Sequence, residues 1–325
     1  DVLPALRMSQ SELARRLEPG MVSKELASSK KSRVFLPFFW FAIPWAIVCL
    51  VSLSTGDWPD PSDKELNRAL FFAEAIGFFF FLAVFAATRV AAEKEAATLQ
   101  ILAITRLTAT RILVGKAVAL LIEQAVPILL LLLHLLVVLH LSSQDYWFFS
   151  LVGFLASLAL SIFLGLYFSL ASKRIVEAIV TTAIAWFIGC YILLGPVMLF
   201  FEIFNVDARK QARLGMASVP VAVLYMLFVL WRARKRGFGT AAAVLSYALL
   251  SCAVFSIAVT MLGGSRSTDP SNMVLLSPIA AFFPDEWKIQ DVSAILVTVP
   301  IQIAVALWMA VASLANFEQQ ARRAS

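Results

Sequence analysis

The sequence predicts an all-α membrane protein, a bundle of about eight crossing helices, and three observations carry that expectation. Of the 325 residues, 61% are hydrophobic and only 15% charged, whereas water-soluble domains are nearer half apolar and a quarter charged. The apolar residues fall in unbroken runs of roughly 20, the length a helix needs to cross a bilayer, as at 34–53, 69–88, 117–141 and 294–314. Short charged clusters separate these runs, and the alternating segments of a transmembrane barrel are absent. Closed helices then satisfy the backbone within lipid.

In chain order, residues 1–33 are charged and lack the apolar stretch of a signal peptide. Leu6, Leu13 and Leu17 share one helical face, with Arg7, Arg15 and Arg16 elsewhere. After Pro19-Gly20, Val22 and Leu26 resume beside Lys24 and Glu25, so this segment reads as an amphipathic helix lying on the inner membrane surface. A transmembrane region at 34–318 follows, with spans expected at 34–54, 69–89, 112–141, 147–172, 176–201, 217–231, 239–262 and 292–315. A loop at 263–290 faces outward, and a short cytoplasmic tail occupies 319–325.

The basic residues orient this arrangement. Placing the N-terminus in the cytoplasm puts 20 of the 27 Lys and Arg residues on the inner side and seven on the outer, as the positive-inside rule requires. An even number of spans returns the C-terminus to the cytoplasm. Trp58, Trp147 and Trp287 suit the outer interfacial belt. The net charge of +6 is thus an orientation signal and not a nucleic-acid footprint. Cys49, Cys190 and Cys252 all lie in apolar runs, make no CxxC pair and read as small packing residues.

The fourth span carries Gly153, Ser157, Ser161, Gly165 and Ser169 at strict i+4 spacing. Small residues in such a row let two helix backbones approach closely in lipid. Ionisable residues also enter the spans: Glu74, Glu123, Glu177, His134 and His140. Glu74 and Glu177 fall near span ends where water solvates them, and the histidines near the outer interface. Glu123 lies deepest, two turns from Lys116 on a similar face, which leaves either a structural pair with Lys116 or a proton relay. A relay would make the chain an ion-coupled secondary transporter, although no inverted repeat or paired broken helices accompany it. His134-x5-His140 is not the i+4 spacing of a zinc helix, and no GxSxG elbow occurs, which speaks against an embedded enzyme.

The most informative segment lies between the second and third spans. Glu93-Lys94-Glu95 leads into an apolar helical stretch too short to span, with Thr98, Leu99, Leu102, Thr105, Arg106 and Leu107, and Gly115-Lys116 follows. A short amphipathic helix held between two rigid spans suits docking into a groove on another protein. In these residues the chain resembles the permease subunits of type-2 ABC exporters, in which a charged triplet, Thr-Leu, a Thr-x-Leu turn and Gly-Lys mark the cytoplasmic coupling helix. Ala97, Gln100 and Arg106 stand where that family has Gly, Glu and Pro. Lys24-Glu25-Leu26 and Leu276-Ser277-Pro278 resemble its surface helix and its extracellular element.

The resemblance implies a six-span core, with the pair around 217–262 as an addition. It implies a coupling helix at about 93–107 that receives an ATPase through Glu93, Lys94, Glu95, Thr98, Leu99, Leu102, Arg106 and Leu107. A second permease copy or paralogue completes the transporter, which exports a lipidic or amphiphilic substrate by alternating access across a bacterial plasma (inner) membrane. Sequence itself leaves lipid, polysaccharide, peptide, antibiotic and ion all open as substrates. The one Gly-Lys lacks the upstream glycine of a Walker A loop, so ATP and its Mg²⁺ are expected on the partner, with no cofactor or metal on this chain.

Overall fold

The computed structural model describes residues 42–50, 52, 63–96, 108–142, 147–187, 208–250 and 292–324. All regular structure among them is helical, with no strand. We number the helices α1 (42–50), α2 (Lys64–Glu95), α3 (Ala109–Glu123), α4 (Ala125–Ser142), α5 (Trp147–Ala171), α6 (Ile175–Phe187), α7 (Ala208–Arg236), α8 (Thr240–Leu250) and α9 (Val292–Ala324).

Among the described residues, three helical stretches are long and apolar enough to cross a membrane: Leu66–Glu95, Ser150–Ala171 and Val299–Arg322. A fourth crossing is available if α3 and α4 count as one broken span. The chain therefore has the make-up of an integral membrane protein, with fewer crossings among the described residues than the eight expected. Part of the difference lies at 53–62, 188–207 and 251–291, which fall outside the described residues along with the surface helix at 1–33 and the outer loop at 263–290.

The expected third span is not one straight helix. It breaks at Gln124, where α3 and α4 meet at 64°. Pro127 supplies the cause. It has no N–H to give the Glu123 carbonyl, and its ring crowds that carbonyl. Hydrogen bonding resumes on either side, with Gln124 N donating to Leu120 O at 3.0 Å and Ile128 N to Gln124 O at 2.9 Å.

α2 also differs from expectation. It starts at Asp63, whose carboxylate accepts from Leu66 N at 3.5 Å as an N-cap, and runs to Glu95. The charged triplet is thus the last turn of α2 and not the start of a separate cytoplasmic helix. α9 likewise continues as helix through 319–324, the expected tail.

α2 and α5 form the centre. α5 lies against α2 on one side and α9 on the other, α2 also touches α4 and α6, and α7 covers α9. Phe71, Phe79, Leu82, Phe154, Tyr167 and Phe168 fill the interior, with Phe79 and Phe154 edge-to-face at 5.6 Å. The outer faces stay apolar: Leu129, Leu133 and Leu136 on α4, and Leu224, Leu227 and Phe228 on α7, are exposed. Gly237, at φ 63°, turns the chain from α7 into α8. There Phe238 N donates to Asn316 Oδ1 of α9 at 3.3 Å.

Candidate functional site

The C-terminal end of α5 is where three of the eight expected coupling residues, Glu93, Lys94 and Glu95, can be followed. A helix ends with carbonyls that have no partner of their own, and here three other helices supply the donors. Lys94 of α2 donates from Nζ to Ser169 O at 3.3 Å, to Leu170 O, and to Ser172 O at 3.1 Å. Gln320 of α9 donates to Leu170 O at 2.8 Å, and Thr240 at the start of α8 donates to Ala171 O at 3.2 Å. A cation at this position also complements the negative end of the helix dipole.

The two acids beside Lys94 reach in other directions. Glu93 Oε1 lies 2.8 Å from Lys116 Nζ of α3, whose side chain is fully buried. Glu95 Oε2 accepts from Ile175 N at 3.1 Å in the first turn of α6. The same turn is closed by Glu177, whose Oε2 accepts from Lys173 N at 2.9 Å and whose Oε1 accepts from Thr240. Glu93-Lys94-Glu95 therefore ties α2 to α3, α5 and α6 at once. Thr98, Leu99, Leu102, Arg106 and Leu107 lie outside the described residues. On their far side the chain resumes at Thr108, the N-cap of α3, whose hydroxyl accepts from Arg111 N at 3.4 Å.

One helical turn further into the bundle, Arg89 of α2 pairs with Glu123 of α3, both side chains at least nine-tenths buried. Of the two alternatives for Glu123, a structural pair is found but not with Lys116, which takes Glu93 and also approaches Arg89 O at 3.4 Å. Lys116 and Glu123 share a helix, but α3 packs on α2, so each finds its counter-charge across the helix boundary. Nothing in the spacing along one helix signals this. Glu123 lies directly at the break before Gln124.

A second buried cluster was missed altogether. Glu74 is 2% exposed, not solvated at a span end, because α2 begins ten residues earlier and sets it in the third turn. His134 stands midway along α4, not near its outer end. Its Nδ1 lies 2.6 Å from Glu74 Oε2, Trp45 Nε1 of α1 donates to Glu74 Oε1 at 3.1 Å, and the ring of Phe71 meets the imidazole edge-on at 5.6 Å. His140 is exposed. The usable signal was the coincidence of one acid and one histidine inside apolar runs, where each must find a partner.

Gly153, Ser157, Ser161, Gly165 and Ser169 are all buried along α5. Gly165 has the backbone of α2 against it: a Cβ there would come within 2.1 Å of Ala83 O and 2.8 Å of Ala87 N. One turn on, Ser169 Oγ accepts from Val90 N at 3.0 Å and Ala91 N at 2.8 Å. At these two rungs the close approach is within the chain.

Charges matched in pairs and spent on helix ends hold elements in place, and no described group of three or more His, Cys, Asp or Glu residues is placed to bind a metal ion. Compared with family models, curated proteins and solved structures, the chain matches none.

Proposed function

We propose that the chain is the membrane-spanning permease subunit of an ATP-driven ABC exporter, moving a lipidic or amphiphilic substrate by alternating access. In this reading it has about eight spans, a six-span core with an added pair, and both termini in the cytoplasm of a bacterial plasma (inner) membrane. A separate ATPase subunit binds ATP and Mg²⁺, and a second permease copy or paralogue shares the pathway. The observation that carries the reading is the anchoring of Glu93-Lys94-Glu95 into three neighbouring helices. Residues 97–107 are strung between that anchor and the capped start of α3, so a push on them is delivered to α2, α3, α5 and α6 together.

Leu99 and Leu102 would supply the apolar contact to the ATPase, with Arg106 one turn beyond. Replacing both leucines with Asp puts charge into a desolvated contact, at a cost on the order of several kcal/mol. The expected outcome is a chain that inserts normally but loses its ATPase on co-purification, or whose ATPase turns over without transport. Parental co-purification and substrate-stimulated turnover would refute the coupling role.

The helix break beside Glu123 favours a second reading, an ion-coupled transporter using that carboxylate. Pairing with Arg89 speaks for a structural role instead. Transport that persists with the ATPase absent and stops in Glu123→Gln would select this second reading.

A further inference from the structure

The Glu74–His134 contact does something that neither reading requires. With Glu74 ionised, its carboxylate only accepts hydrogen bonds, and the proton between His134 Nδ1 and Glu74 Oε2, 2.6 Å apart, then sits on Nδ1. That fixes the tautomer and leaves the lone pair on Nε2. Nε2 is buried and has no hydrogen-bond partner among the described residues, while the side chain as a whole keeps 14% of its surface exposed. A carboxylate-backed imidazole with its second nitrogen vacant is a base held ready. We propose that Glu74 and His134 form a proton-binding site inside the bundle, with His134 Nε2 as the atom that takes the proton.

The balance is simple. A hydronium ion gives up a proton: one of its O–H bonds breaks, an N–H bond forms on Nε2, water is left, and the cluster passes from a net charge of −1 to zero. Among the described residues, the adjoining helices carry Arg111, Lys116 and Glu123 on α3 and Glu177 on α6, with Lys116 and Glu123 already taken by Glu93 and Arg89. From α1 the cluster meets Trp45, whose indole N–H supports the carboxylate, and from α2 the edge of Phe71. α5, packed against α2, contains no charged residue, and neither does α1. Within α2 the nearest charges toward the start of the helix are Arg68 and Glu65, and within α4 the other titratable side chain is His140, six residues on. Charge is expensive in such an interior, so occupancy of Nε2 is coupled to how α1, α2 and α4 hold together.

The chain has two histidines, which makes the test direct. His140→Gln, at an exposed position, leaves His134 as the sole imidazole. Full-length protein labelled with ¹⁵N-histidine in lipid nanodiscs would be followed by NMR over an interval from about pH 8 to 5. The expected result is an Nδ1–H tautomer at the upper end and an Nε2 resonance that moves upfield to the protonated position as pH falls. An Nε2–H tautomer at the upper end, or an Nε2 that does not change over the interval, overturns the proposal. Glu74→Gln should abolish the preference for Nδ1–H, and a variant that folds and titrates as the parent does removes Glu74 from the site. No ATPase or substrate enters the measurement, so its result is separable from the exporter reading.

Discussion

Lys116 is a lysine with no water contact along its side chain, and its counter-charge is Glu93, which itself keeps 19% of its surface exposed. Losing one partner of a buried pair strands the other, at a cost of about 3–5 kcal/mol, whereas replacing both with apolar side chains is close to neutral. Glu93→Ala should therefore lower the thermal midpoint of the detergent-solubilised chain sharply, and Glu93→Leu/Lys116→Met should restore most of the loss. A single substitution that leaves the midpoint unchanged would mean that the ammonium finds water. Here the limits of reading a chain are physical. An ionisable residue in or at the edge of an apolar run, such as Glu123, stood out in the sequence. Its partner did not, since Arg89 and Glu123 lie 34 positions apart, Trp45 and Glu74 29, and Glu74 and His134 60. Only the packing of helices brings them together.

Between helices, the α2–α5 contact is set by small residues whose spacing was visible along the chain, because i+4 periodicity is a local property of one helix. Which neighbour the row would meet was not visible. Gly165 against Ala83 and Ala87 answers that. Gly165→Ala should destabilise by about 1–3 kcal/mol, as overpacking forces backbone apart. Gly239→Ala provides the comparison, since nothing lies within 4 Å of a Cβ built there, and it should leave the midpoint within about 0.5 kcal/mol of the parent. Equal effects in thermal unfolding would show that the close approach at Gly165 carries no weight. The break at Gln124 was legible too, in Pro127. An unbroken apolar run masked it, because hydropathy counts side chains and takes no account of a missing N–H. Pro127→Ala restores the donor to the Glu123 carbonyl and should straighten α3 against α4. A spin-label distance between Val114 and Val137, both exposed, should lengthen in that variant, and an unchanged distance would place the cause of the bend elsewhere.

The distribution of side chains over the bundle is that of a protein dissolved in lipid. Charges lie inside in pairs, the large exposed hydrophobic residues on α4 and α7 are Leu, Val, Phe and Trp231, and helices meet through alanine, glycine and serine. In lipid no hydrophobic force draws helices together, so close packing and hydrogen bonds must do it. In the orientation proposed here, the basic loops stay on the cytoplasmic side. The exposed run Arg232, Arg234, Lys235 and Arg236 closes α7, with Lys235 Nζ 5.1 Å from the centre of the Trp231 ring. Cations above an aromatic ring and above apolar Leu224 and Leu227 suit a headgroup layer, with the chain below them in the bilayer. Ser62, just ahead of α2, belongs to the opposite side in this orientation. In a background with Cys49, Cys190 and Cys252 replaced by Ala, Ser62→Cys should react with an impermeant thiol reagent added outside intact cells. Arg234→Cys should react only after the membrane is opened. Labelling in the reverse order would invert the bundle, place residues 97–107 outside the cell and remove them from the reach of any cytoplasmic ATPase.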